Sequence, residues 1–300
     1  MIKHAIHYIR LGIDFVLDPF QTKTIIEWVT LLTFLYVFIY LGYVSYLGKI
    51  FIWFSLIMFV SLIIVFFKPK ILQKSIFWGG LFCVLGVWLY QNNVLVDNHI
   101  FLSWFWILNL AILFSYPASR QHDLIQQTSS LFVGFVFILA DVQRVFFNNF
   151  LSSNYFYGVL LTDDRFKFIG WMFDFYQEKI AKANQELIAL AKSGRAERVV
   201  LNSGPEFLKI VAQVMTYFTF GVELVLGSVS LWFFRKEHYI KHVVFIVFSL
   251  SVYILVPIKG FSMILTLMMM SQCKSANTPL FKGYFLWFFY NLFSVSRWFL

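Results

Sequence analysis

The sequence predicts an all-α, polytopic helical membrane protein with about eight spans and an N-terminal interfacial helix. Three observations carry this. Of the 300 residues, 60% are hydrophobic and only 13% charged, far from the mixture of a soluble globular chain. Apolar stretches of roughly 17 to 25 residues recur, each long enough at about 1.5 Å per residue to cross a hydrocarbon core of roughly 30 Å. The alternating segments of about ten residues that mark a membrane β-barrel do not occur in the sequence.

Residues 1–20, MIKHAIHYIRLGIDFVLDPF, space Ile2, Ile6, Ile9, Ile13, Val16 and Phe20 helically, with Lys3, His7, Arg10, Asp14 and Asp18 elsewhere. This predicts an amphipathic helix lying on a membrane, ended with the help of Pro19, its histidines serving as interfacial polar groups. Expected spans follow at 24–44, 50–67, 75–91, 99–116, 127–147, 208–233, 239–256 and 258–272. Pro257 and Gly260 suggest a tight turn between the last two. The aromatic stretch 281–300 reads as an interfacial helix or a ninth crossing, the interface being favoured. The first long apolar run begins only near residue 24 and no small-residue cleavage pattern follows, so a cleaved signal peptide is not expected.

The net charge of +9 is topological. With the N-terminus inside, Lys3, Arg10, Lys23, Lys68, Lys70, Lys74, Arg120, Arg235, Lys236, Lys241, Lys274 and Lys282 gather on the cytoplasmic side, against Lys49 and Lys259 in the short outer loops. That bias supports eight spans with both ends inside, as in a bacterial inner membrane. No basic patch interleaved with aromatics forms, so nucleic acid is not an expected partner. Cys83 and Cys273 lack metal or redox spacing and read as small apolar residues.

One membrane domain, 1–300, is the economical reading, with an extracytoplasmic insertion at 148–207. Within that insertion, FDFYQEKIAKANQELIALAKSG sets Tyr176, Ile180, Ala183, Leu187 and Leu190 at helical spacing, and Gly194 suits a C-terminal cap. An amphipathic helix over 173–193 is expected. Its apolar face packs on the spans or on membrane lipid headgroups, or it docks a protein partner.

Ionisable groups inside spans cost about 2.5 to 3.5 kcal/mol each on insertion scales and need a partner or a purpose. Asp141 and Arg144 lie three apart at the end of the fifth span, where they can pair with each other, or Arg144 can reach headgroups. Glu223, near the middle of the sixth span, needs a proton or a cationic or hydrogen-bonding partner on another helix. His242 opens the seventh span and reads as an interfacial histidine or a proton carrier. Depth argues against direct contact among Arg144, Glu223 and His242, placed near the outer surface, the midplane and the inner surface. No nucleophile–base ordering or metal-ligand spacing strengthens a hydrolase or metalloenzyme reading.

The segment ADVQRVFFNNFLSSNYFYGVLLTDDRF, 140–166, resembles the HTTM family, membrane domains related to vitamin K-dependent γ-glutamyl carboxylase. There a span ends in a small-small-x-polar-Lys-Leu pattern, followed by a short Asp/Phe-rich re-entry. The resemblance extends to Glu223 in a span after the long outer connection and to His242 opening the next. It implies a multi-span fold and, in the carboxylase, a lysine base acting on reduced vitamin K. Here that pair is Gln143 and Arg144: an amide has no useful basicity and a guanidinium stays charged, so neither can take a proton from a hydroquinone.

Asp141, Gln143, Arg144, Glu223 and His242 are therefore candidates for binding a lipid-soluble or peptide ligand, with a quinone or lipid as the possible cofactor and catalysis left open. A non-catalytic subunit that anchors or assembles a membrane complex through the 173–193 helix is the alternative. A transporter would need broken helices or inverted repeats, which the sequence does not display.

Overall fold

The computed structural model describes residues 23–41, 51–91, 98–146, 150–163, 166, 178–192, 204, 206–236, 238–253 and 258–296. The expected helix over 1–20, the cap at Gly194 and the turn at Pro257 lie outside them. Every regular element among the described residues is helical. In order these are α1 (Ile25–Tyr36, extended by a π turn Val37–Leu41), α2 (Phe51–Phe67), a 3-10 turn (Pro69–Gln73), α3 (Ser75–Gln91), α4 (Asn98–Leu113), α5 (Ala118–Phe146), α6 (Asn154–Thr162), α7 (Glu178–Lys192), α8 (Glu206–Trp232), α9 (Tyr239–Phe248, with a π turn Ser249–Tyr253), α10 (Lys259–Met270) and α11 (Pro279–Ser296).

Packing groups the chain into two compact units, one of residues 1–132, 233–237 and 259–300, the other of 133–232 and 238–258. The dividing points fall inside α5 and around α9, where no linker-like composition marks them.

In the first unit α10 is central. Ser262 and all eight residues from Met263 to Met270 are buried, four of them methionine, whose flexible side chains fill irregular gaps. Helix α11 returns antiparallel along it, with Trp287 Nε1 donating to Ser262 Oγ at 3.1 Å and Lys259 Nζ to the Ser294 carbonyl at 2.5 Å. The aromatic stretch expected at 281–300 is thus described as α11, packed along α10. Gly260 is the second residue of α10 and not part of a turn; the Tyr40 ring lies where its Cβ would be, which explains the glycine.

Helix α1 begins with a capping box: the Thr24 Oγ1 accepts from Glu27 N at 3.3 Å, and the Glu27 carboxylate accepts from Thr24 N at 2.8 Å. Helix α2 ends before Lys68–Pro69, because proline cannot extend it. Helices α3 and α4 pack through Trp104, stacked on Phe82 at 4.6 Å and donating to the Phe82 carbonyl at 2.9 Å, with Gly86 leaving room for the indole. Cys83 faces outward rather than into a core, while Cys273 is buried.

A polar seam joins α1 to α4 in antiparallel register. Trp106 Nε1 donates to Thr33 Oγ1 at 3.1 Å, Tyr36 Oη meets Ser103 Oγ at 2.7 Å, and Tyr40 Oη meets His99 Nε2 at 2.9 Å.

Helix α5 starts at Ala118, nine residues before the expected span, and its 29 residues extend about 43 Å. The polar run Gln126 to Ser129 does not break it. Thr128 and Ser129 return their hydroxyls to the carbonyls of Leu124 and Ile125 at 2.8 and 2.5 Å, and Gln126 donates to the Gln272 carbonyl at 3.1 Å.

In the second unit α5 and α8 run antiparallel and approach each other closely at Gly134 and Gly227. A Cβ on Gly227 would lie 3.2 Å from the Gly134 carbonyl oxygen, and one on Gly134 would lie 2.5 Å from the Leu231 side chain. Small residues let the backbones approach. Beyond the end of α5, helix α6 folds back onto the first half of α8, burying Phe150, Phe156, Leu160, Leu161 and Phe166 against Leu208, Val211 and Ala212. Helix α9 packs on α8, and its Phe248 meets Phe137 of α5 edge-on at 5.0 Å.

Two described helices, α5 and α8, are long and apolar enough to cross a membrane by length and composition. Only 33% and 28% of their most apolar stretches are buried, so most of that apolar surface faces outward. Core helices of a soluble protein would bury it.

Candidate functional site

The site forms where α5 ends. Asp141 and Arg144, one turn apart, point to the same side of the helix, and Arg144 Nη1 donates to Asp141 Oδ1 at 3.3 Å. The guanidinium also forks onto Glu223 of α8, through Nη1 to Oε2 and through Nη2 to Oε1, the latter at 3.3 Å. Asp141 and Glu223 are 3% and 5% exposed. The Arg144 side chain keeps 26% of its surface, and the Phe150 ring covers one face of the guanidinium at 4.5 Å.

Phe150 reaches that position because the chain turns sharply after α5. Ser153 N donates to the Phe150 carbonyl at 2.9 Å, and Ser153 adopts φ 65°, a left-handed conformation uncommon outside glycine. The turn aims α6 back along α8. The last carbonyls of α6, orphaned as at any helix C-terminus, accept from α7: Asn184 Nδ2 to Leu161 O at 3.4 Å and Gln185 Nε2 to Thr162 O at 2.9 Å. The amphipathic helix expected over 173–193 is described over 178–192, and its buried Asn184 serves this contact while Leu190 is exposed.

Two carboxylates meet one guanidinium, and the geometry leaves one of their four oxygens without a donor. That acceptor is Asp141 Oδ2, buried and without a hydrogen-bond partner among the described residues. Arg144 spends three of its five N–H groups on the two acids and retains two. The arrangement offers both a charged acceptor and charge-assisted donors. It suits a hydroxyl, an amide or a carboxylic acid better than a bare anion, which the two carboxylates would repel.

The sequence candidates therefore separate. Asp141, Arg144 and Glu223 come together, Gln143 is exposed, and His242 is buried in the first turn of α9 beside the fully buried Lys241. The depth argument is corrected for one pair, because Arg144 does touch Glu223. It placed Arg144 near the outer end of the span 127–147 and Glu223 near the middle of the span 208–233. Helix α8 instead extends 17 residues, about 25 Å, from Glu223 to its start at Glu206, well past the end of α5.

Sequence reasoning did not single out Phe150, Lys241 as a buried group, or the α1–α4 seam. The seam did leave a signal, since Tyr36 and Tyr40, and His99 and Ser103, are each four apart. Among the described residues no group of three His, Cys, Asp or Glu side chains could hold a metal ion. Comparison with family models, curated proteins and solved structures gave no match.

Proposed function

We propose that the chain is an HTTM-like multi-pass membrane protein, N-terminus inside, that binds a lipid-soluble or peptide ligand on its outer side at Asp141, Arg144 and Glu223. The observation that carries this reading is the mismatch inside the cluster: a buried, unpartnered Asp141 Oδ2 beside a guanidinium with donors to spare. Purely structural ion pairs close their hydrogen bonds, because an unmet buried acceptor costs about 1–3 kcal/mol or more. A ligand hydroxyl or amide would close this one. A membrane setting is supported by the outward apolar surfaces of α5 and α8. Carboxylase chemistry is not part of the proposal, since Arg144 is committed to two acids and cannot serve as base.

Asp141→Asn tests the binding role without dismantling the Arg144–Glu223 pair. The wild-type protein, purified in mild detergent and extracted for mass spectrometry, is expected to carry a quinol, hydroxylated lipid or peptide. The variant should keep its thermal stability and lose that molecule roughly tenfold, the scale of one charged hydrogen bond. An unchanged complement of bound molecules would overturn the reading. Loss of a copurifying protein on substitution of the exposed Leu190 would favour the anchoring subunit instead.

Sidedness is tested by labelling. A cysteine at Glu186, an exposed residue of α7, is expected to react with an impermeant maleimide added outside intact cells. Reaction only after the cytoplasmic face is opened would reverse the topology.

A further inference from the structure

A second polar site lies in the first unit, at the beginning of α1. A cleft of about 250 Å³ opens between α1 and the 3-10 turn Pro69–Gln73, lined among others by Lys23, Glu27, Thr30, Lys70 and Gln73. We infer that this cleft binds the phosphate headgroup of an anionic phospholipid.

The charges favour it. Both oxygens of Glu27 are engaged, Oε2 by the Thr24 amide and hydroxyl at 2.8 and 3.2 Å, and Oε1 by Gln73 Nε2 at 3.1 Å. Among the described residues neither Lys23 nor Lys70 is in an ion pair, so the two ammonium groups outweigh one already satisfied carboxylate. Lys23, which lines the cleft, is held over the Trp28 ring, Nζ to centroid 4.8 Å, a contact that orders the amine in advance.

The surroundings identify a lipid as the source of the phosphate. Phe66 and Phe67, more than 70% exposed, end the outward apolar face of α2, and Lys68–Pro69–Lys70 follows at once. Apolar side chains that stop where lysines begin mark a boundary between acyl chains and headgroups. A phospholipid seated there lays its tails along α2 and its phosphate between Lys23 and Lys70. The sequence bias puts this end of α1 on the cytoplasmic side, where anionic lipids attract lysines.

This inference rests on the membrane reading above but not on the Asp141 site, and lipid competition separates the two. The full-length protein in a non-ionic detergent is given equal amounts of phosphatidylglycerol and phosphatidylcholine, and retained lipids are counted by native mass spectrometry. The wild type is expected to prefer phosphatidylglycerol roughly thirtyfold, the scale of two lysines at an anionic surface. Lys23→Gln with Lys70→Gln should abolish the preference, Lys23→Arg with Lys70→Arg should keep it, and Lys236→Gln with Lys282→Gln, an equal charge change elsewhere, should leave it alone. Equal retention of both lipids by the wild type overturns the inference while sparing the membrane reading; retention of neither overturns both. An equal loss in the Lys236/Lys282 variant would reduce the effect to net charge and overturn the site. Full displacement of phosphatidylglycerol by tens of millimolar inorganic phosphate would overturn the lipid as its occupant.

Discussion

Arg144→Gln is expected to be the most damaging conservative substitution in the second unit, and Arg144→Gln combined with Glu223→Gln is expected to recover part of the loss, Asp141 still lacking its cation. The single change leaves Asp141 and Glu223, 3% and 5% exposed, without a cation. Breaking a buried pair from one side costs about 3–5 kcal/mol, because the remaining charge is uncompensated. Replacing both partners by amides removes the forked pair and keeps a hydrogen bond of neutral groups. The checking measurement is a double-mutant cycle on thermal or denaturant unfolding in detergent, with a coupling of about 2 kcal/mol or more expected. Additive losses would show that the fork contributes nothing to folding. This instability is also why binding is better tested at Asp141, where Oδ2 can be altered while the fork persists.

Gly227→Leu is expected to separate α5 from α8. The obstacle is not only the Ile138 side chain, which can change rotamer, but the Gly134 carbonyl 3.2 Å from the new Cβ, which moves only with the helix. Widening the crossing by an ångström or more draws Arg144 away from Glu223, so the effect should include loss of the fork as well as of packing. A loss of about 3 kcal/mol or more follows from overpacking together with the broken pair. Gly221→Leu, on the same helix with nothing within 4 Å of its Cβ, is the control and should be nearly neutral in melting temperature. Equal melting of the two variants would mean that the close crossing is not a stability determinant.

Much of the helical framework was legible because hydropathy reports it directly. The expected stretch 75–91 coincides with α3, and 50–67 and 208–233 differ from α2 and α8 by one or two residues at an end. The start of α5 was not legible, since Gln126 to Ser129 lower the apolar content while their side chains bond locally or to Gln272 and leave the helix intact. At the site, Asp141 and Arg144 were readable as a one-turn pair on their own helix, and Glu223 as a charge in need of a partner. That the partner is Arg144 was not readable. Helical periodicity says which face a residue occupies and nothing about the vertical offset between two helices, which here is set by glycines and by the overhang of α8. The same gap hid Phe150, which depends on a left-handed Ser153 that no composition rule signals. In the α1–α4 seam, tyrosines and serines among so many aromatic residues looked ordinary until their partners were known.

The fork between Arg144 and Glu223 joins residues 79 apart in the chain. At roughly 5–20 residues per second, translation takes about 4 to 16 s to cover that distance. Throughout this interval Asp141 is the one acid of the cluster available to Arg144, and the carboxylate that completes it has not been made. The fork therefore cannot close until Glu223 of α8 has been made, long after the Asp141–Arg144 pair is available on α5. The order of synthesis thus sets the order in which the parts of the cluster become available to one another.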